Sequence, residues 1–353
     1  MSVLDGDRRS PDVSVLVPVL NEGEHIRDTV ASMLSQQLDD LTFELVFADG
    51  RSEDDTKAIL QEIARQDRRV VVVDNPDRTT AIGLNTCLRN ARGRYVARMD
   101  AHSYFPPRYL AAGIERLQRG DDVVWVAGPV LPRGTGRWSR RVGLALGTRL
   151  GMGGSQKWEP NGHAVAPGTP PPEFELDTGV FAGVWERSTL ERLGGWDDGW
   201  PVNQDSELAA RVREQGGRIV CLPEMAAEYL PRDDLRKLWR QYWRFGYYRA
   251  KTNARHPGSL RPSHLLAPGL VLTALAAVWS PWPLRRLARV GMGVYAGALA
   301  AETAHLAERE SPEVAAGMPA VFATLHVSWG LGFLAGLARF GGLAGLAQTL
   351  SRG

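Results

Sequence analysis

Cysteine is almost missing from this chain. Only Cys87 and Cys221 occur, too far apart for a metal-binding or redox spacing, so neither a disulfide framework nor a thiolate metal site is expected. An excess of one charge is missing too. A net charge of +2 and the lack of an aromatic-studded basic face argue against a nucleic-acid binder, so no nucleic acid is expected among the partners. Lysine is rare against abundant arginine, the cation suited to forked phosphate contacts. No Gly-X-Gly-X-X-Gly follows an early apolar run, which removes the dinucleotide fingerprint. The first eleven residues are polar and charged with no apolar centre, so no signal peptide is expected and the domain after them is expected in the cytoplasm. At 353 residues there is room for one large domain plus an appendage.

What is present begins with apolar, β-branched runs separated by amphipathic segments. Val13 to Leu20 reads as a strand buried on both faces, its ladder ending at Pro18. Asn21 to Glu24 opens a loop into a helix carrying Ile26, Val30, Met33 and Leu34. Phe43 to Ala48 repeats the strand pattern and delivers Asp49-Gly50-Arg51-Ser52; a second helix and the strand Val70 to Val73 follow. This βαβαβ alternation predicts a doubly wound sheet whose strand ends form one ligand crevice. Asp49 stands at such an end, although Asp-Gly is also favoured in plain turns.

Tyr95 to His102 is the stretch around which the rest is organised. A short apolar run stops at Asp100-Ala101-His102, and residues i and i+2 of an extended segment share a face. Asp100 and His102 can then hold one divalent cation while Ala101 faces the protein. A carboxylate and an imidazole without thiolate suit Mn²⁺ or Mg²⁺, and two protein ligands leave room for diphosphate oxygens. Taken alone the triplet is unspecific.

Val15 to Glu22, Asp49-Gly50-X-Ser52, Asp100-Ala101-His102 and Asn203-Gln204-Asp205 stand in an order that resembles the signature of family 2 glycosyltransferases, over roughly residues 12 to 250. The succinoglycan-biosynthesis type, whose metal motif is also Asp-Ala-His, is the nearest likeness. The resemblance implies a GT-A-like nucleotide-sugar-binding fold, α/β, with a mixed sheet flanked by helices. It implies that Pro18, Asn21, Glu22 and Asp49 hold the nucleotide, Asp49 accepting the N3–H of uracil. Asp205 resembles the catalytic base, with Gln204 where Glu is often seen; a first-turn Asp can also serve only the helix. Asn85 matches an Asn upstream of the metal strand, whereas Leu84 and Cys87 depart from the Arg and Gly common beside it. Arg78 is either a substitute charge or a solvated loop residue.

Tyr109 to Leu117 reads as a helix and Val123 to Val130 as a strand ending at Gly128-Pro129. Gly151 to Pro172 is rich in Gly and Pro and is expected to be a lid or acceptor loop, with His163 a surface residue within it. Phe174 to Gly183 resembles the family segment beneath the donor sugar and acceptor, which makes Asp177 a sugar-contact candidate beside its reading as a cap. Asp233 to Lys251 is an aromatic and basic helix. Its Gln241-Tyr242-Trp243-Arg244-Phe245 resembles the Gln-X-X-Arg-Trp motif of membrane polysaccharide synthases. Gln241 is thereby an acceptor candidate, and Arg244 binds either the donor diphosphate or an anionic membrane surface.

The last third changes character. Leu265 to Trp282, Val290 to Leu306 and Val314 to Leu337 are apolar, and a bilayer crossing needs about 20 such residues. Keeping Arg285, Arg286 and Arg289 on the cytoplasmic side makes the first segment interfacial and the other two spans. A buried soluble helical domain is the competing reading. The expected layout is 1–11 flexible, 12–230 catalytic, 231–260 an amphipathic interfacial helix and 261–353 a helical membrane-associated region. The expected activity is a metal-dependent inverting transfer from a nucleotide-sugar donor, a UDP-sugar, to a lipid-linked or polysaccharide-precursor acceptor at the cytoplasmic face of the cell membrane. Its rivals are a processive polysaccharide synthase and a non-catalytic membrane scaffold that binds nucleotide.

Overall fold

The computed structural model describes residues 10–153, 155, 157 and 172–341; most of the expected lid, including His163, lies outside the described residues. Contacts divide the chain into two units, Met1–Val130 with Pro160–Glu228, and Leu131–Glu159 with Tyr229–Gly353. Residues 131–153, counted with the catalytic domain from sequence, therefore group with the C-terminal helices.

The first unit is built on an eight-stranded mixed sheet. Its order is Val70–Asp74, Phe43–Asp49, Val13–Val19, Tyr95–Arg98, Gly183–Glu186, Val123–Ala127, Arg218–Cys221 and Phe174–Glu175. The first four strands are parallel, as helical crossovers require, and Gly183–Glu186 runs antiparallel between Tyr95–Arg98 and Val123–Ala127. Val13, Val15 and Val17 share one buried cluster with Ile26, Val30 and Met33 of the first helix. Each such side chain contributes about 1.5–3 kcal/mol when fully removed from water.

Two strand ends differ from expectation. Pro18 does not end the first strand, because the neighbour Tyr95–Arg98 pairs only as far as Leu16, and beyond it the missing N–H interrupts no second ladder. The strand from Val123 stops at Ala127. Its partner Arg218–Cys221 ends at the same register, and Pro129 has no N–H with which to continue the ladder.

One end of the sheet is a structural lock. Glu44 is buried and accepts from Ser14 Oγ at 2.7 Å, from the Arg92 N–H at 3.0 Å and from Arg92 Nη2 at 2.6 Å. These contacts tie the first two strands to the turn before the fourth. The opposite, carboxyl end is left to the loops.

The second unit is helical: Arg137–Leu146, Arg149–Met152, Leu235–Arg255, Leu266–Trp279, Trp282–Ala307, Pro312–Ala316 and Met318–Phe340. Leu235–Arg255 and Met318–Phe340 pack with almost no space, since β-carbons on Gly246 and Gly332 would collide with the Trp329 and Trp243 carbonyls. Among the described residues, Pro262–Trp279 and Pro312–Phe340 are long and apolar enough to cross a membrane. This revises the expected spans. Trp282–Ala307, which holds Val290 to Leu306, carries Arg285, Arg286, Arg289 and Glu302 and fails that test, whereas the segment read as interfacial passes it.

Candidate functional site

The carboxyl ends of the parallel strands bring Pro18, Asn21, Glu22, Asp49, Asp100 and His102 into neighbouring segments. Val19, Asp49 and Asp74 lie in register across three strands. The loops that follow the first two strands are sewn together. The Asn21 N–H donates to Ser52 Oγ at 3.0 Å, Asn21 Oδ1 accepts from the Glu53 N–H at 2.8 Å, and the Glu22 N–H donates to Thr56 Oγ1 at 2.8 Å. Asn21 thus shapes the loop, in a left-handed conformation with φ 54° that asparagine tolerates. Arg78 pairs with Glu53 at 3.0 Å on the surface.

Asp49 is fully buried. Its Oδ2 accepts from the Ser52 N–H at 3.3 Å, while Oδ1 has no partner among the described residues. A buried carboxylate oxygen left unsatisfied is costly, and a ligand N–H would remove that cost.

The Asp-Ala-His stretch is not extended as expected. The strand ends at Arg98, and the Ser103 N–H bonds back to the Asp100 carbonyl at 3.1 Å, so Asp100 and His102 sit in a turn. Ala101 is buried, as expected. Arg98 holds both Asp100 oxygens in a fork, Nε to Oδ1 at 2.9 Å and Nη2 to Oδ2 at 3.0 Å. Glu22 reaches His102 from the first loop, Oε1 lying 3.4 Å from Nδ1. Among the described residues no three His, Cys, Asp or Glu side chains gather as a metal cage. The donors at this turn are the Asp100 carboxylate and the His102 imidazole, with the Glu22 carboxylate beside the latter, all partly exposed. That set fits an ion whose remaining ligands come from a diphosphate.

Asp205 is half-buried in the first turn of the helix Gln204–Glu214, preceded by Asn203 at φ 66°. A carboxylate there is favoured by the helix dipole. The segment bearing Asp177 lies against this helix. A β-carbon on Gly179 would collide with the Asp205 carbonyl, Thr178 Oγ1 is 3.4 Å from Ser206 Oγ, and Arg213 Nη1 donates to the Asp177 carbonyl at 3.4 Å. The Asp177 side chain is exposed. Beneath this region Trp125, Trp185 and Trp196 form a buried row, with ring centroids 4.9 and 5.9 Å apart. Asn85 braces its end, accepting from the Trp196 N–H at 2.9 Å and donating to the Trp196 carbonyl and to Asp198.

Gln241 and Arg244 belong to the second unit. Gln241 Nε2 donates to Tyr229 Oη at 3.1 Å, and Arg244 is exposed on the same helix. Cys87 and Cys221 are buried thiols, each pushed up to about 12 by desolvation, and take no part in the site. Sequence reasoning missed Arg98, Glu207 and the tryptophan row. A lone arginine inside an apolar strand two residues before an aspartate was a visible signal for the first.

Comparison with known proteins gives concordant findings. Residues 14–170 match the family model described as Glycosyl transferase family 2. The succinoglycan biosynthesis protein ExoA of Rhizobium meliloti (strain 1021) is 28% identical over 334 residues, covering 90% of this chain and 93% of that protein. A solved structure of the mannosyltransferase PcManGT from Pyrobaculum calidifontis, in complex with GDP-Man and Mn²⁺, shares the fold at a TM-score of 0.55 and 23% identity, over 93% of this chain and 88% of the other. GalNAc-T7 with UDP, GalNAc and Mn²⁺ does so at 0.51 and 16% identity, over 73% and 52%.

Proposed function

We propose, from the premise that this chain carries a glycosyl transferase family 2 domain and is a glycosyltransferase, that it is an inverting, metal-dependent enzyme that moves a sugar from a UDP-sugar to a lipid-linked or polysaccharide-precursor acceptor. The observation that carries this reading is the buried Asp49 carboxylate, whose Oδ1 has no partner among the described residues, at the carboxyl end of the sheet whose loops also hold Glu22, Asp100 and His102. In this reading the first unit is the catalytic domain, Pro18, Asn21 and Glu22 shape the nucleotide loop, and Asp49 accepts the base N–H. The donor set of Asp100 and His102 takes Mn²⁺ or Mg²⁺, which when bound neutralises charge on the departing diphosphate. Asp205 accepts the proton of the acceptor hydroxyl as its oxygen forms the new bond to the anomeric carbon and the bond from that carbon to the diphosphate breaks. Attack opposite the leaving group inverts the anomeric configuration. Asp177 is assigned to the acceptor sugar.

Membrane attachment through Pro262–Trp279 and Pro312–Phe340, with the catalytic unit on the cytoplasmic face, makes a lipid-linked saccharide the natural acceptor. Calorimetry of UDP and GDP with and without Mn²⁺, on wild type and Asp100→Asn, tests the donor site. The expected result is Mn²⁺-dependent UDP binding that the substitution weakens at least tenfold. GDP preference would move the base assignment to guanosine, and no binding of either nucleotide by folded protein would overturn the reading.

A further inference from the structure

Arg98 ends the strand Tyr95–Arg98, paired through its backbone to Leu16 and Gly183. Its side chain is 3% exposed, so its charge is almost wholly removed from water. Its one counter-ion among the described residues is Asp100, and the pairing is a fork in which each carboxylate oxygen takes a separate N–H. A guanidinium buried to this degree needs that partner, because an unpaired charge in the interior is strongly destabilising.

The fork has a consequence for any cation that Asp100 is to hold. Both oxygens are engaged side-on by a fixed positive group, so an incoming ion meets only their remaining lone pairs, on a carboxylate whose charge is already compensated. The Asp100 side chain keeps 14% exposure, which leaves one open approach. His102 adds an imidazole whose Nδ1 lies 3.4 Å from Glu22 Oε1, and among the described residues no three His, Cys, Asp or Glu side chains gather as a metal cage. The Asp100 carboxylate alone thus offers a cation little uncompensated charge, and a nucleoside diphosphate carries the charge it lacks.

We propose that Arg98 is a positioning residue that makes divalent-cation uptake conditional on a nucleoside diphosphate. It fixes the Asp100 carboxylate in one orientation and offsets its charge, so that ion and diphosphate enter as a pair. The inference rests on the assignment of Asp100 and His102 as metal ligands.

The test is a Mn²⁺ titration of the full chain followed by electron paramagnetic resonance of the free ion, with and without UDP, on wild type and Arg98→Met. Wild type should bind Mn²⁺ weakly alone and at least tenfold more tightly with UDP. Arg98→Met should gain about tenfold or more in nucleotide-free Mn²⁺ affinity, the scale on which groups behind a metal ligand act. Unchanged or lower nucleotide-free affinity in the variant, with normal UDP-dependent uptake in wild type, overturns the role of Arg98 and leaves the metal site standing. No Mn²⁺ uptake by folded wild type even with UDP overturns the metal site, and this inference with it. If Arg98→Met melts below the assay temperature, Arg98→Lys is read instead. An ammonium cannot fork both oxygens, so a smaller gain in the same direction supports the inference and no gain overturns it.

Discussion

Asp49 and Val19 end adjacent parallel strands directly opposite one another, and the Gly50 N–H returns to the Val19 carbonyl at 2.8 Å. The carboxylate is therefore placed by the sheet. Its Oδ2 accepts one backbone N–H, and its Oδ1 accepts none among the described residues. Asp49→Asn puts an amide where an acceptor of full charge stood. Hydrogen bonds to charged groups contribute about 1.5–3 kcal/mol, so UDP affinity by calorimetry should fall about tenfold or more. The melting temperature should change little, because the Ser52 contact can be kept. Unaltered UDP affinity would remove Asp49 from the base site.

Asp100→Ala and Asp100→Asn should part company in stability. Alanine strands the buried Arg98 guanidinium, a loss of about 3–5 kcal/mol for a broken buried pair, whereas asparagine keeps one acceptor oxygen. Urea denaturation of the two variants measures the difference. Equal stabilities would mean that water or another group takes over Arg98, and they would make alanine as clean a probe of the metal site as asparagine.

The sheet was legible in the sequence because Val13–Val19, Phe43–Asp49 and Val70–Asp74 are short apolar runs spaced by amphipathic helices, a purely local pattern. Residues that act through long-range contacts were not. The close approach of Gly128 to the Met225 carbonyl joins segments about a hundred positions apart. Gly183–Glu186, which runs antiparallel inside the sheet, has no run long enough to announce itself. Asp49, Asp100 and Asp205 could be singled out because each stands beside a recognisable element boundary. Asn21 was seen too, but only the structure shows its amide holding Glu53.

That amide contact makes its own prediction. Asn21 combines a positive φ with a side-chain bond across to the second loop. Asn21→Ala loses the bond and must hold an unfavourable backbone conformation, at a cost of about 1–3 kcal/mol. Asn21→Gly relieves the second burden alone. Stability by urea denaturation should rank wild type, then glycine, then alanine, and alanine equal to wild type would show that the loop does not depend on this residue.

The helix Gln204–Glu214 carries two acids in its first turn, with opposite expectations. Glu207 is fully buried and forked by Arg211, Nε to Oε1 at 2.8 Å and Nη2 to Oε2 at 2.7 Å, and the same guanidinium donates to the Leu193 and Gly195 carbonyls. Glu207→Ala should cost about 3–5 kcal/mol and lower activity only through loss of folded protein. Asp205→Asn should leave melting and UDP binding near wild type while transfer falls at least a hundredfold, the low end for a positioned general base. Transfer retained in Asp205→Asn would send the search for the base to Asp177.

Gly332 and Gly297 offer a matched pair in the helical unit. A β-carbon on Gly332 would collide with the backbone carbonyl of Trp243, which has no side-chain freedom with which to yield, whereas one on Gly297 would meet nothing within 4 Å. Alanine favours a helix interior over glycine by about 1 kcal/mol, so Gly297→Ala should hold or raise the melting temperature of the full chain in detergent. Gly332→Ala gains the same propensity yet must push Met318–Phe340 away from Leu235–Arg255, and overpacking of this kind costs about 1–3 kcal/mol or more. Its melting temperature should fall. If both substitutions stabilised equally, the close approach of these two helices would not govern the stability of the unit.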